Sequence, residues 1–209
     1  QFTRSGRQVD LTQPPFVPYP RAAGERAHVS FDSLLSLYKQ RRSVRWFFDR
    51  TVEIEKIQSA ISAASLAPSA CNRQPYLFRY FDNRKEAAEI ASIAMGTAGY
   101  AEQIPALIVV LGDFSSFEHE RDRHLPYIDG SLAAMQFMLA LETLGLSSCA
   151  INWPDIEARE RRMARALDLP NHVRPLMLIA VGYADPAGGI PFSAKKTCDA
   201  LLRTINDYR

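Results

Sequence analysis

Hydrophobic and polar positions alternate along this chain with two periods, one typical of helices and one typical of strands. Apolar residues three and four positions apart predict helices that begin after Ser30 and at 52–66, 84–98, 128–145, 155–167 and 197–206. Short runs rich in aliphatic and aromatic residues predict strands at 76–81, 104–111, 147–153 and 173–183. Because helices and strands are mixed, we predict an α+β fold with a sheet of about four or five strands covered by helices.

The segment 128–145 is the longest predicted helix, and its apolar side chains are spread almost all round it. They are Ala133, Met135, Phe137, Met138, Leu141 and Leu144. A helix that is apolar on several sides must be buried on several sides. We therefore expect a central helix that lies between two subunits.

Residues 1–29 differ from the rest of the chain, because they contain four of its 13 prolines and no helical or strand period. Alone, such a segment is extended or disordered. Its few apolar residues favour an arm that packs over the body or over a partner subunit; a linker from an upstream domain is the alternative. The chain begins with Gln, not Met, so we expect a processed, trimmed or excised chain. We predict one domain over residues 30–209.

Composition and charge narrow the classes of function. The chain has 209 residues, of which 47% are hydrophobic and 23% charged, and a formal net charge of +2. This balance gives no reason to expect a nucleic-acid partner or an anionic membrane surface. No apolar run reaches the roughly 18 residues that a membrane span needs. The sequence has no G-x-G-x-x-G or Walker motif, which argues against dinucleotide and ATP sites of those types.

Cysteine and histidine usage bears on metals and on location. The three cysteines are an odd number without metal-ligand spacing, which predicts reduced thiols and a cytoplasmic protein. His119, Glu120 and His124 lie in a charged stretch without another convincing ligand or a known metal-binding spacing. We therefore predict no metal site.

The joint between the second predicted helix and the first predicted strand reads A-P-S-A-C-N-R-Q-P-Y. Pro68 and Pro75 bracket it and stiffen the backbone outside the helical conformation. Between them, the short polar side chains of Ser69, Asn72 and Gln74 offer hydrogen bonds. A rigid polar loop of this kind suits a flat, hydrogen-bonding ligand; an ordinary connection is the alternative.

A second segment, R-R-S-V-R at 41–45, closes the first predicted helix with three arginines. Together with the A-P-S-x-x-N-x-Q-P loop, it resembles the FMN-dependent nitroreductase family. Three further segments match in the same order: Asp129-Gly130 at the start of the long apolar helix, L-G-L-S at 144–147, and V-G-Y at 181–183. The resemblance covers nearly the whole chain beyond the N-terminal arm.

The resemblance implies a nitroreductase-like α+β fold with a mostly antiparallel sheet, and a homodimer with FMN at the subunit interface. It assigns Arg41 and Ser43, with Arg42 between them, to the phosphate end of FMN. It assigns Arg45 to the N1/O2 edge of the flavin, where negative charge develops on reduction. Planar guanidinium groups suit both tasks. Arg41 and Arg45 share one face if the helix continues; a surface cluster at a helix C-terminus is the alternative.

The resemblance also assigns the polar loop to a contact with the flavin from the partner subunit. The matching residues are Pro68, Ser69, Ala70, Asn72 and Gln74. Ala70 replaces a frequent Ser, so this position is expected to offer only its backbone. Asp129 falls where relatives have a polar residue near the pyrimidine ring. Its alternative role is the N-cap of the central helix.

Two later segments complete the implied cofactor site. Ile151 and Asn152 match a strand end where a backbone N–H points at flavin N5. Many relatives have Glu-Gly there, so Trp153 is a departure that a lid over the ring, a narrowed substrate space or simple core packing would each explain. Lys195 and Lys196 match a basic pair that closes on the phosphate; a solvated basic turn is the alternative.

The segment 113–127 is longer than a simple connection needs. It contains flat side chains that suit an aromatic acceptor and cations that suit a negative one. We predict that it governs the second substrate; a solvated surface loop is the alternative. The candidate substrate residues are Phe114, Phe117, His124, Tyr127 and Trp153.

The function implied by the resemblance is an FMN-dependent oxidoreductase. NADH or NADPH would reduce the flavin at N5 and leave, and a nitroaromatic, a quinone or a related small acceptor would then take the electrons. This is a ping-pong scheme without a catalytic side chain. One alternative is a flavin-dependent dehydrogenase, oxidase or dehalogenase with a dedicated substrate. Another is a non-catalytic FMN-binding accessory domain of a larger protein.

Overall fold

The computed structural model describes residues 26–202. In this part, six helices lie at Phe31–Gln40 (α1), Ile54–Ala64 (α2), Arg84–Ala91 (α3), Leu125–Thr143 (α4), Glu157–Leu167 (α5) and Cys198–Leu201 (α6). Four strands lie at Tyr76–Phe81 (β1), Ala106–Asp113 (β2), Ser147–Asn152 (β3) and Val173–Gly182 (β4). Each predicted helix and strand is present, so the α+β prediction is confirmed. Predictions for residues 1–25 and 203–209 lie outside the described residues.

The four strands form one antiparallel sheet in the order β1-β2-β4-β3. β2 is buried over seven of its eight residues, and only Asp113 at its end is partly exposed. A strand that is covered on both faces reads as a continuous apolar run, which explains the sequence A-L-I-V-V-L in β2. The antiparallel sheet agrees with the expected architecture.

Helices cover both faces of this sheet. The even-numbered residues of β2 from 106 to 110 join a core cluster with residues of α2 and α4. The odd-numbered residues from 107 to 111 join a second cluster with residues of α3 and α5. Since successive side chains of a strand point to opposite faces, β2 contributes to both cores.

The third helix is shorter than the predicted 84–98. It ends at Ala91, and the chain then continues through turns in which Gly96 and Gly99 have φ of +80° and +89°. Glycine adopts these left-handed values without the steric cost that other residues meet. The stop signal was present in the sequence M-G-T-A-G, but the alanine-rich periodicity before it obscured the helix end.

The central helix α4 begins at Leu125, three residues before its predicted start, with Pro126 in its first turn. Proline is tolerated there because the first N–H groups of a helix have no partner within the helix. One side of α4 is buried in the core, but four apolar residues on another side are each between 39% and 50% exposed. The exposed apolar residues are Tyr127, Ile128, Leu132 and Met135. The described part of one chain therefore does not bury α4 on all the sides that its sequence predicts.

The first helix has its predicted cap, because the Ser30 hydroxyl accepts a hydrogen bond from Ser33 N at 3.1 Å. None of its residues is buried. Phe31 is 74% exposed and Tyr38 is 47% exposed. The predicted apolar face of α1 thus lies on the surface of the described chain.

Residues 26–202 contain neither a cluster of metal ligands nor a membrane-spanning helix. There, no three His, Cys, Asp or Glu side chains are grouped as metal ligands would be. No helix in the same range is long and apolar enough to cross a membrane. Cys71 and Cys198 are exposed free thiols, and Cys149 is a buried one.

Candidate functional site

The basic segment 41–45 is extended and not helical. α1 ends before it, and Arg41 has ψ of 117°. Val44 N donates to the carbonyl of Ser148 in the edge strand β3 at 3.1 Å. The helix does not continue, so the condition under which the first and last arginines would share a helical face is not met, because pairing with the strand edge replaces further helical hydrogen bonds.

Four of the five residues of this extended segment nevertheless line one cavity of about 210 Å³. The lining residues are Tyr38, Arg41, Arg42, Ser43, Arg45, Ile190, Pro191, Ser193 and Lys195. Lys195 Nζ donates to the Ser193 hydroxyl at 2.7 Å. The described lining residues include three guanidinium groups and one ammonium group and contain no carboxylate. The cavity is therefore strongly electropositive.

Arg45 also contacts a buried tyrosine beside a buried thiol. Its guanidinium carbon lies 5.8 Å from the centroid of the Tyr100 ring. Burial raises the pKa of the Tyr100 hydroxyl. Burial also raises the pKa of the Cys149 thiol, although the positive charge of Arg45 opposes that shift. Both groups are therefore neutral near neutral pH, and they do not cancel the charge of Arg45.

A buried glutamate that no sequence motif predicts lies near the basic segment. Glu142, near the end of α4, is 7% exposed and accepts a hydrogen bond from Gln40 Nε2 at 3.2 Å. Its Oε1 atom has no hydrogen-bond partner in the described part of the chain. Burial raises the pKa of Glu142, opposed by the Gln40 hydrogen bond and by the charge of Arg41. From the sequence alone, a single Glu in a long apolar helix is expected on the surface, and only the packing of α4 shows that Glu142 is buried.

The polar loop has an unusual backbone. Cys71, Asn72 and Gln74 have φ of 52°, 53° and 49°, although none of them is glycine. Such conformations cost about 1–3 kcal/mol each and persist only where surrounding contacts impose them. One such contact joins Gln74 Nε2 to Asn72 Oδ1 at 2.9 Å. Strain of this kind is concentrated at ligand sites and switch regions.

Asp129 anchors this loop to α4. Its Oδ2 atom accepts hydrogen bonds from the Ser69 hydroxyl at 2.7 Å and from Ala70 N at 3.0 Å. The Ser69 hydroxyl in turn accepts from Gln74 N at 2.8 Å. Asp129 is 2% exposed and lies in the second turn of a helix that starts at Leu125. The alternative role as an N-cap is therefore wrong, because the helix begins four residues earlier.

Most of the predicted cofactor residues form two separate sets within this chain. One set surrounds the cavity and consists of Arg41, Arg42, Ser43, Arg45 and Lys195. The other set consists of the loop residues Pro68, Ser69, Ala70, Asn72 and Gln74 together with Asp129. None of the loop residues is among the described residues that line the cavity. Ile151, Asn152 and Lys196 are outside that lining as well.

Trp153 has a fixed position next to the end of β3. It is partly buried and packs against the core cluster on the α3 and α5 face of the sheet. Its indole N–H donates to Glu160, whose other carboxylate oxygen accepts from Arg174 Nε at 3.3 Å. Of the three explanations that the sequence left open, these contacts favour core packing.

The segment 113–127 is more regular than the loop that the sequence predicted. It contains 3₁₀ turns at Phe114–Ser116 and Glu120–Asp122, and its last three residues belong to α4. The Asp113 carboxylate accepts from Ser115 N at 2.9 Å and caps the first of these turns. The irregular part is therefore shorter than expected.

The aromatic candidates for substrate contact are partly paired with one another and with the polar loop. Phe114 and Tyr127 meet edge to face, with ring centroids 5.4 Å apart. The ring centroid of Phe117 lies 5.4 Å from the guanidinium carbon of Arg73. His124 is exposed and directly precedes α4. Arg73 was not among the predicted site residues, because it occupies an unspecified position of the loop motif, between the specified residues Asn72 and Gln74.

Known proteins resemble this chain over most of its length. The profile of the Nitroreductase family matches residues 38–103 and 93–183, which is more than half of the chain. This chain belongs to the nitroreductase family. The match includes both sets of predicted cofactor residues except the basic pair near residue 195.

Individual relatives agree with membership of the nitroreductase family. A protein of Methanothermobacter thermautotrophicus named "Putative NADH dehydrogenase/NAD(P)H nitroreductase" is 31% identical over 155 residues, covering 74% of this chain and 79% of the relative. Iodotyrosine deiodinase 1 of Rattus norvegicus is 25% identical over 215 residues, covering 90% of this chain and 73% of the relative.

A solved structure extends the comparison to the fold of the nitroreductase family. The FMN-dependent nitroreductase of Clostridium difficile R20291 matches with a TM-score of 0.65 and 25% identity, covering 80% of this chain and 94% of that one. The expected nitroreductase-like fold is confirmed, and the chain is an oxidoreductase.

Proposed function

We propose that this chain is an FMN-dependent oxidoreductase that takes electrons from NADH or NADPH and passes them to a nitroaromatic, a quinone or a related small acceptor. The observation that carries the proposal is the cavity lined by Arg41, Arg42, Arg45 and Lys195. The four cations around this cavity repel one another, and a bound anion would relieve that repulsion. The FMN-dependent nitroreductase among the structural neighbours supports a flavin phosphate as that anion.

The donor set fits the two charged or polar ends of FMN. Guanidinium groups bind phosphate oxygens through paired, charge-assisted hydrogen bonds, and an ammonium group adds a point charge. We assign the phosphate to Arg41, Arg42, Ser43, Lys195 and Lys196. We assign Arg45 to the pyrimidine edge of the ring, because its charge is not cancelled by the neutral Tyr100 beside it.

We infer a homodimer in which FMN lies at the interface. The exposed stripe of α4 borders a shallow apolar groove of about 450 Å³ lined by Tyr127, Ile128, Ser131, Leu132 and Met135. A second copy that covered this stripe would remove apolar surface from water at about 25 cal/mol per Å². Asp129 fixes the polar loop to the same helix, between the exposed Ile128 and Leu132. An interface along this stripe therefore brings the loop of one subunit to its partner.

The protein's part in the reaction is orientation and electrostatics. When bound, FMN would supply hydride acceptance at N5 and later electron transfer to the acceptor. We propose that backbone N–H groups near Ile151 and Asn152, at the end of β3, orient the reactive edge of the ring. The charge of Arg45 favours the reduced, more negative form of the ring. The proposal gives no side chain the role of general acid or base.

A reductive dehalogenase is a second candidate. Iodotyrosine deiodinase 1 of Rattus norvegicus aligns with 90% of this chain, which supports the dehalogenase candidate.

The accessory-domain alternative is also testable. In our proposal, residues 30–209 form an FMN-binding domain and residues 1–29 an arm or linker. An accessory domain would bind FMN without turnover.

Rapid anaerobic mixing of the purified, FMN-loaded protein with NADH or NADPH tests the proposal. We expect bleaching of the flavin absorbance within the turnover times typical of enzymes, and recovery when 1,4-benzoquinone is added. Recovery with an iodinated phenol and not with the quinone would favour the dehalogenase. Bound FMN that neither nicotinamide reduces would reject the reductase.

The segment between β2 and α4 supports a separate prediction about the acceptor. Replacing residues 115–124 with a short Gly-Ser linker should leave FMN content intact and change acceptor turnover by about an order of magnitude or more, because the segment contains none of the assigned FMN contacts. Stopped-flow assays of both half-reactions check this. Unchanged acceptor kinetics would mean that the segment is only a connection. Loss of the flavin would mean that the cofactor is misplaced.

A further inference from the structure

We propose that Arg73 is a positioning residue that joins the flavin loop, residues 68–74, to the acceptor segment, residues 113–124. In this role, Arg73 sets the use of the acceptor while other contacts maintain FMN binding. The inference rests on the proposed function and specifies how the second substrate is accommodated at the same site.

The direct observation is a pair of contacts made by one side chain. Arg73 Nη1 donates a hydrogen bond to the carbonyl of Ser116 at 2.6 Å. The guanidinium carbon of the same side chain lies 5.4 Å from the centroid of the Phe117 ring. A short, charge-assisted hydrogen bond and a cation–π contact together fix both the backbone and the flat side chain of the segment.

The backbone that presents Arg73 is itself fixed. Arg73 N donates to the carbonyl of Ala70 at 3.1 Å, and Arg73 has ordinary helical angles. Its neighbours Asn72 and Gln74 both adopt left-handed angles. These angles are costly for residues other than glycine, so the backbone of the loop has few alternative conformations. The Cα atom that carries the Arg73 side chain is therefore held in one position.

Two further ties hold the flavin loop and the acceptor segment together near their ends. At the start of the acceptor segment, Asp113 N donates to the carbonyl of Pro75, the residue directly after the flavin loop, at 2.9 Å. On the downstream flank, Asp129 in α4 accepts from Ser69 and Ala70. Arg73 contacts the middle of the segment, between these ties. Its removal therefore leaves the loop anchored at both ends and releases only the middle.

Phe117 gives this contact a consequence for the substrate. It lines a cavity of about 170 Å³ together with Phe114 and Pro126, and the rest of the lining is polar or charged: Glu118, His119, Glu120, Asp122 and Arg123. A planar aromatic acceptor is recognised through flat aromatic surfaces whose orientation is fixed. Because Arg73 orients Phe117, we expect loss of Arg73 to weaken acceptor binding before it affects the nicotinamide half-reaction.

The test compares Arg73→Gln, Arg73→Lys and the control Arg161→Gln, all as FMN-loaded protein. Arg161 is an exposed residue of α5 that pairs with Glu157 and has no part in either loop. We expect Arg73→Gln to raise the KM for 1,4-benzoquinone at least fivefold, with the rate of flavin reduction by NAD(P)H within twofold of the unmodified protein. Amide hydrogen exchange at residues 115–118 should become at least tenfold faster.

Rescue distinguishes a specific contact from a general loss of structure. Arg73→Lys retains the charge over Phe117 but not the planar donor group, so it should recover part of the KM change and part of the exchange protection. The control should match the unmodified protein in all three measurements. Unchanged exchange and an unchanged KM in Arg73→Gln would overturn the inference, as would equal losses in both half-reactions.

Failure of the proposed function would look different. A protein that binds no FMN, or whose FMN is not reduced by NAD(P)H, rejects the proposed reductase. Hydrogen exchange does not depend on turnover, so it still reports whether Arg73 couples the two loops. Faster exchange confined to residues 115–118 in Arg73→Gln would support the coupling, and identical exchange would reject it.

Discussion

Replacing Arg41 with Gln is expected to weaken FMN binding by about 10- to 150-fold. The reason is that a hydrogen bond to a charged group is worth about 1.5–3 kcal/mol, and a phosphate dianion loses such a partner when the guanidinium is removed.

Arg45→Gln should act differently. Because Arg45 is assigned to the edge of the ring where charge develops, its loss should lower the midpoint potential by about 30–65 mV for a two-electron couple.

Fluorescence titration with FMN measures the first effect, and dye equilibration measures the second. Arg161→Gln, an exposed substitution on α5 that removes an ion pair with Glu157, is the matched control and should change neither quantity. Equal potentials in Arg45→Gln and the unmodified protein would reject the role assigned to Arg45. An unchanged FMN affinity in Arg41→Gln would contradict the assignment of the phosphate to the cavity.

Flavin occupancy is expected to follow the dimer fraction on dilution. The cavity residues and the Pro68–Gln74 loop form separate sets in one subunit, and α4 leaves an apolar stripe uncovered there. If each FMN site uses one set from each subunit, separation of the subunits removes half of the contacts. Occupancy should then fall in parallel with the dimer, even at FMN concentrations that saturate the dimer.

Analytical ultracentrifugation at the flavin absorbance follows both quantities in one experiment. A charged substitution in the exposed stripe, Leu132→Glu, should dissociate the subunits and release FMN together. Arg161→Gln, which removes only an exposed ion pair with Glu157 on α5, is the control. A monomer that keeps stoichiometric FMN far below the dimer's dissociation constant would contradict the interface site.

Local sequence signals predicted the elements of this fold well. The alternation of β2 between two cores follows from an unbroken apolar run, and the cap of α1 follows from Ser30 before an apolar stripe. The motif residues Arg41, Arg42, Ser43 and Arg45 line one cavity, and Ser69 of the second motif is hydrogen-bonded to Asp129. In these places, the signal and the structure depend on the same few neighbouring residues.

The errors arose where distant parts of the chain decide the geometry. The segment 41–45 is extended because β3, about a hundred residues later, supplies its backbone partner. Asp129 reads as a cap until the loop at 69–70 is placed against it. Glu142 and Arg73 have no motif of their own, since their roles depend on contacts across the fold.

In our proposal, the phosphate of FMN binds in the part of the cavity formed by Arg41, Arg42, Ser43 and Lys195. The most direct test is to titrate the flavin-free protein with FMN and with riboflavin, which has the same ring and no phosphate. We expect FMN to bind at least about a hundredfold more tightly, with a preference that declines as salt concentration rises. Equal affinities for the two flavins, or a preference that salt does not change, would contradict a phosphate in that cavity.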